Sequence, residues 1–214
     1  MSLFIDRGGY VDATRITLKV FPLIERGKMG HVNGIVVHQT GGPTADGAFG
    51  SYSKKRHDGS YPNGAHFLIE KDGTIYQTAS LFRITNHVGN LQSRCLATQK
   101  CSPTELKAAR ALDKTKGNKA RADAVNKAEM PKEFPDRYPS NVDAIGIELV
   151  GEAPETKKGE FEFVPVTAEQ TSALKWLVNE LVDTLGVSMN EVYRHPVVGR
   201  KNDSEARTAI WRSD

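Results

Sequence analysis

Several broad classes are excluded by what the sequence has little of. It contains no run of about 18 apolar residues, so no membrane-spanning helix is expected. Its opening residues, MSLFIDRGGYVDA, show no basic start followed by an apolar core, so no cleavable secretory signal is expected. On that reading the protein is cytoplasmic, or is exported by a machine that needs no such signal. Charge of one sign is scarce: the net value is +3, too small to argue for nucleic acid but compatible with an anionic polymer substrate. There are only 2 cysteines, Cys95 and Cys101, in CLATQKC. Their spacing fits neither a CxxC redox motif nor a zinc ribbon. A small disulfide loop and a pair of free thiols both stay open. No internal repeat is visible.

What is present is an ordinary globular composition, 38% hydrophobic and 26% charged over 214 residues. That length buries a core without needing disulfides or a structural metal. ATRITLKVFPL alternates apolar and polar residues through Ile16, Leu18 and Val20, and predicts a strand with one exposed face. In HVNGIVVHQT the β-branched run Ile35-Val36-Val37 predicts a buried strand ending at His38. GGPTADG is a turn, with a short helix expected after it. NGAHFLIEKDGTIYQ reads as a hairpin, with Phe67–Ile69 and Thr74–Tyr76 as arms and Lys71-Asp72-Gly73 as the reversal. AIGIELVG predicts another buried strand. TAEQTSALKWLVNELVDTL, from Thr167 to Leu185, predicts an amphipathic helix with Thr167 as N-cap, Gln170 at the capping-box position and Gly186 at its end.

Strands with helices between and after them predict an α/β class, a single domain over 1–214 with a central mixed β-sheet flanked by helices. Residues 1–30 form an N-terminal extension. From about 93 to 141 the chain turns rich in Lys, Arg, Ala, Asp and Glu, which predicts a charged helical insertion on the surface. Ser102 or Thr104 caps it, with Glu105 as the box acid if Ser102 is the cap.

There are 6 histidines: His31, His38, His57, His66, His87 and His195. A lone histidine defaults to a hydrogen-bonded structural or surface role. His38 is set apart by its place at the end of a buried strand, where side chains open into a cleft. His195 precedes Pro196 in a loop, and Asp203 follows in RKNDSE. Two histidines and an aspartate satisfy a catalytic zinc site, which leaves a fourth position for water. On spacing alone, RKNDSE reads better as a polar C-terminal turn. Glu148 interrupts the apolar AIGIELVG. An acid there has a raised pKa unless partnered, which makes it a candidate general acid/base; a strand-end glutamate facing solvent is the alternative. Lys201 is an oxyanion candidate or a plain surface lysine.

Taken together, the blocks IVVHQT, NGAHFLIEKDGTIYQ, NHVGN, NVDAIGIELVG and YRHPVVGRKND, in that order, resemble the zinc-dependent N-acetylmuramoyl-L-alanine amidases of the amidase-2 / peptidoglycan recognition protein superfamily. The resemblance implies that His38, His195 and Asp203 bind one Zn2+. It implies that Lys201, two residues before the last ligand, stabilises the oxyanion, and that Glu148, in the IGIEL strand, is the catalytic acid/base. The tyrosine that one branch of the family carries just before the histidine of the YHF-type block is replaced here by Ala65. NHVGN resembles the WHAG-type block with Asn86 in place of tryptophan, which implies that Asn86 and His87 line the substrate cleft. His66 is expected to be structural; His31 and His57 match nothing in the family pattern.

The implied reaction is hydrolysis of the amide between N-acetylmuramic acid and the L-alanine of the stem peptide, with peptidoglycan or muropeptide as partner and neither nucleic acid nor membrane involved. The competing class is a peptidoglycan-binding module that keeps the fold but lacks the last ligand, and Asp203 separates the two. Three settings stay open: a cytoplasmic recycling enzyme for anhydro-muropeptides, a phage endolysin, and an antibacterial effector delivered by a system such as type VI secretion. The last would bring an immunity protein as a further partner.

Overall fold

A computed structural model describes residues 3–212. A two-stranded hairpin opens the chain, β1 (Phe4–Ile5) with β2 (Val11–Asp12), followed by β3 (Ile16–Leu18) and β4 (Glu25–Lys28). β5 (Gly34–Gly41) and helix α1 (Ala45–Tyr52) lead to β6 (Phe67–Ile69), β7 (Ile75–Gln77) and β8 (Arg83–Thr85). Three helices come next, α2 (Arg94–Thr98), α3 (Pro103–Asp113) and α4 (Asn118–Glu129), before β9 (Ala144–Glu152). A small hairpin, β10 (Glu155–Lys157) and β11 (Glu160–Phe161), precedes α5 (Ala168–Leu185), β12 (Val192–Arg194) and α6 (His195–Val198). No helix is long and apolar enough to cross a membrane among the described residues.

The central sheet is mixed and has 6 strands, in the order β12-β5-β9-β6-β7-β3. All neighbours are parallel except the β6–β7 hairpin. Period-two alternation divides its faces. Ile35, Val37, Ile145, Ile147 and Leu149 pack with Leu174, Leu177, Val178 and Leu181 of α5. Each of those helical side chains is fully buried and contributes about 1.5–3 kcal/mol. The ends of α5 form as their residues dictate. Thr167 and Gln170 make a reciprocal capping box, and Gly186 closes the helix in the left-handed region at φ 67°.

The expectations about local structure need five corrections. β5 runs past His38 to Gly41, so His38 lies inside the strand. α1 begins within the GGPTADG stretch, because Thr44 caps it by accepting from the Gly47 amide. The N-terminal extension is not merely appended, since β3 joins the main sheet at its edge. The insertion holds three helices rather than one solvated helix, and α4 buries Ala122, Val125 and Glu129. Ser102 caps α3, but only half of the box forms: the Glu105 carboxylate accepts from Lys132 Nζ at 2.6 Å instead of turning back. Cys95 and Cys101 are joined as a disulfide, closing the loop between α2 and α3. Arg94 pairs with Glu191 at 2.7 Å, and Asn126 of α4 accepts from the Leu91 amide. These contacts tie the insertion to the rim of the sheet that carries β12.

Candidate active site

On the face of the sheet away from α5, residues 38 and 148 lie side by side, because β5 and β9 pair in parallel with His38 opposite Glu148. His195 opens α6 directly after β12, the strand that pairs with β5 on its other edge. His38 and His195 are both buried, and their Nδ1 atoms are 2.7 Å apart. A carboxylate joins them: Glu205 Oε1 lies 2.9 Å from His195 Nδ1 and 3.5 Å from His38 Nδ1.

The remaining ring nitrogens settle the tautomers. His195 Nε2 faces the Val88 carbonyl at 2.7 Å, and a carbonyl only accepts, so that nitrogen carries a proton. His87 Nε2 likewise donates to the Ala144 carbonyl at 3.1 Å. His87 Nδ1 is therefore an acceptor, and it receives the proton of His38 Nε2 at 2.9 Å. With both rings neutral, the Nδ1 atoms of the His38–His195 pair are lone pairs facing each other and a carboxylate. Such a cluster repels itself unless a proton or a metal cation is shared among its members. Two neutral imidazoles and a carboxylate, with outer nitrogens held by hydrogen bonds, are the donor set of a catalytic zinc site, so the residues present fit the metal.

Two glycines make room for this packing. A Cβ on Gly146 would lie 2.9 Å from the His87 ring. One on Gly199 would lie 2.5 Å from the Val88 carbonyl oxygen and 3.1 Å from the His195 ring.

The two carboxylates of the site are driven apart. Burial pushes Glu148 up to about 8, helped by the charge of Glu205 and partly offset by Lys201. Its Oε2 is buried and has no hydrogen-bond partner among the described residues. Burial also works against ionising Glu205, but hydrogen bonds to His195 and His38 outweigh it and hold that carboxyl at about 2. Burial first, then the neighbouring His195, lowers His38 to about 4. A pair of carboxyls with opposed environments is the arrangement that separates an ionised ligand from a proton carrier.

The structure brings His38, His195 and Glu148 together; Asp203 does not join them. Residues Asn202 to Glu205 form a tight turn in which the Glu205 amide donates to the Asn202 carbonyl at 3.0 Å. Asn202 Oδ1 braces it by accepting from the Ser204 amide and hydroxyl. Asp203 sits exposed at the outer corner, while Glu205, at the far end, turns inward and is buried. Lys201 is exposed and lines the cleft, its charge reaching His38 and Glu148, but its spacing of two residues from a ligand no longer holds. Asn86 also lines the cleft. His87 borders it too, yet both ring nitrogens are engaged, so it stands behind His38 rather than offering a free donor to substrate. His66 is structural: its Nδ1 accepts from the Gly146 amide and its Nε2 donates to the Arg83 carbonyl. His31 and His57 are exposed, away from the cleft.

The cleft has a volume of about 460 Å3. Two of its other lining groups were not anticipated. Tyr52, at the end of α1, is buried, and its phenol is raised well above its ordinary range by burial and then by the charge of Glu148. Phe161 and Phe163, from β11 and the segment after it, add an aromatic wall.

Residues 28–206 match the family model Amidase_2, N-acetylmuramoyl-L-alanine amidase. The chain belongs to this family. No curated protein sequence matches it. Among solved structures, a selenomethionine derivative of AmpD is 18% identical, covers 94% of this chain and 92% of its own, and superposes with a TM-score of 0.54. The amidase AmiD from E. coli, in complex with anhydro-N-acetylmuramic acid-L-Ala-D-gamma-Glu-L-Lys, is 16% identical with a TM-score of 0.51, over 93% of this chain and 60% of that one. AmpDh3 from Pseudomonas aeruginosa is 18% identical with a TM-score of 0.51, over 96% and 63%. These likenesses confirm the amidase-2 fold expected from the sequence blocks.

Proposed function

We propose that this Amidase_2 protein is a zinc-dependent hydrolase of the amide joining the lactyl group of N-acetylmuramic acid to L-alanine. The observation that carries the reading is the convergence of two imidazole Nδ1 atoms and the Glu205 carboxylate beside the buried Oε2 of Glu148. His38, His195 and Glu205 would hold the metal. Bound there, zinc lowers the pKa of a water towards ~7 and polarises the scissile carbonyl.

The chain's own groups supply the rest. Glu148, once ionised by a cation beside it, takes the proton of the attacking water and delivers it to the leaving nitrogen. The new bond joins the water oxygen to the carbonyl carbon, and the C–N bond breaks. The products are a muramoyl carboxylic acid and a peptide with a free L-alanine amine. Lys201 carries positive charge at the cleft wall, where the oxyanion develops. His87 and the Val88 carbonyl fix the ligand tautomers.

Digestion of purified sacculi by the zinc-loaded protein tests the bond assignment. Mass spectrometry should find free stem peptides beginning with L-alanine and glycan strands with intact sugars. Release of peptide-bearing disaccharides instead would place the cut in the glycan and contradict the proposal.

A further inference from the structure

A second depression, of about 600 Å3, adjoins the cleft and shares Lys201 with it. Its cationic lining comes from Lys119 and Arg121 of α4, together with Arg200 and Lys201, and no acidic residue lines it. Two nearby carboxylates offset part of this charge: Lys119 pairs with Asp123 at 2.7 Å, and Arg200 lies 3.6 Å from Asp113. Arg121 donates to the Asn118 side chain and the Asp113 carbonyl, and its Nε is buried with no acceptor. Neither Arg121 nor Lys201 forms an ion pair with a carboxylate among the described residues. The trench thus holds two cations more than its neighbours neutralise.

The helix that forms one wall adds to the same field. α4 starts at Gly117, at φ 87°, with no side-chain cap and no acid in its first turn. Its open amide groups and positive dipole end sit where Asn118 and Lys119 line the trench. The aromatic residues Phe161 and Phe163 line the cleft but not the trench. The arginine and lysine side chains of the combined site, Lys201 apart, line the trench and not the cleft.

We infer that this trench is an anion subsite that takes the free carboxylates of the stem peptide, so that the insertion sets which way the substrate lies across the metal. The inference rests on the amidase reading. Of the two halves of the proposed substrate, the N-acetylated sugar is neutral once its lactyl group is amidated. A stem of the type L-Ala-D-γ-Glu-L-Lys carries two free carboxylates, the α-carboxylate left by the γ linkage and the chain end. The peptide half therefore runs past Lys201 along α4.

Calorimetric titration of the zinc-loaded protein with the tripeptide L-Ala-D-γ-Glu-L-Lys, and with the same peptide amidated at both carboxyls, tests this directly. The acid form should bind about tenfold more tightly than the diamide, as expected for two partly screened ion pairs, and the advantage should shrink at high salt. The double variant Lys119→Gln/Arg121→Gln should lose about tenfold for the acid while binding the diamide as the parent does, which also shows that the variant is folded. Equal affinity for both peptides in the parent, or an unchanged preference in the variant, overturns the inference. Hydrolysis is followed in parallel on a muramoyl tripeptide. Preferential binding of the acid without turnover would sink the amidase reading and leave the anion subsite standing.

Discussion

His38 and Glu148 are register partners on adjacent parallel strands, and both face away from the helix that covers the other side of the sheet. A buried imidazole and a buried carboxyl are thereby held together by strand pairing rather than by loops. His195, at the start of α6, and Glu205, in the turn that follows that helix, are brought to them from one side.

Replacing Glu148 by Gln should separate metal binding from chemistry. Zinc content, read by plasma emission, should stay at that of the parent, while kcat falls by a factor on the order of 100 to 10,000. Lys201→Ala should also keep its zinc, and should lose about 100-fold in kcat. Full turnover in the Glu148 variant would remove it from the mechanism.

Glu205, not Asp203, should govern metal retention. Glu205→Ala should weaken zinc binding by more than about 100-fold in a competition with a chromophoric chelator, beyond the range typical of outer partners. Asp203→Ala should bind zinc as the parent does, because its side chain sits at the exposed corner of the turn.

The ring behind His38 should tune the metal without touching it. His87→Phe removes the acceptor that holds the His38 Nε2 proton, and should cost about 10–100-fold in zinc affinity. Gly146→Ala drives a methyl to within 2.9 Å of the same ring and should move the affinity in the same direction. Chelator competition on the two variants checks both.

The pH dependence of stability should carry the mark of Glu148. In chelator-treated protein its carboxyl is raised from 4.5 to about 8 by burial, so the folded state holds this proton more tightly than the unfolded chain. Between those two values unfolding releases the proton, and stability falls as pH rises, by up to about 1.4 kcal/mol per pH unit. Glu148→Gln should flatten that slope, giving a thermal midpoint above the parent's at pH 8 and near it at pH 4. Glu205, held at about 2, acts in another window: its contribution is complete above its ordinary 4.5 and is lost as pH falls towards 2. A midpoint difference between parent and Gln variant that does not change with pH would contradict the buried, partnerless carboxyl.

Much of this architecture was legible in the sequence where local chemistry decides it. Thr167, Gln170 and Gly186 mark the ends of α5 because capping needs only neighbouring groups. The runs around Val36, Leu68 and Ile147 form strands of the central sheet, and the order of the blocks carried the fold. The misses have physical reasons. Asp203 and Glu205 are both acids in one short polar stretch, and which of them turns inward depends on the Asn202 turn. Asn-Asp-Ser is itself a turn signal, and it puts Asp203 at the corner. Tyr52 enters the cleft through the packing of α1 against the sheet, which involves Leu68 and Val150 and which no spacing reports. His87 was expected to face substrate; only the approach of the Ala144 carbonyl shows that its donor is spent.

Turnover of a defined muramoyl-L-alanyl peptide, followed by mass spectrometry before and after metal removal, tests the central claim most directly. The account predicts cleavage at the muramoyl–alanine amide with the mass of one water gained, abolished by chelator and restored by added zinc. Cleavage that survives complete metal removal, or an intact substrate in the presence of zinc-loaded protein, would contradict it.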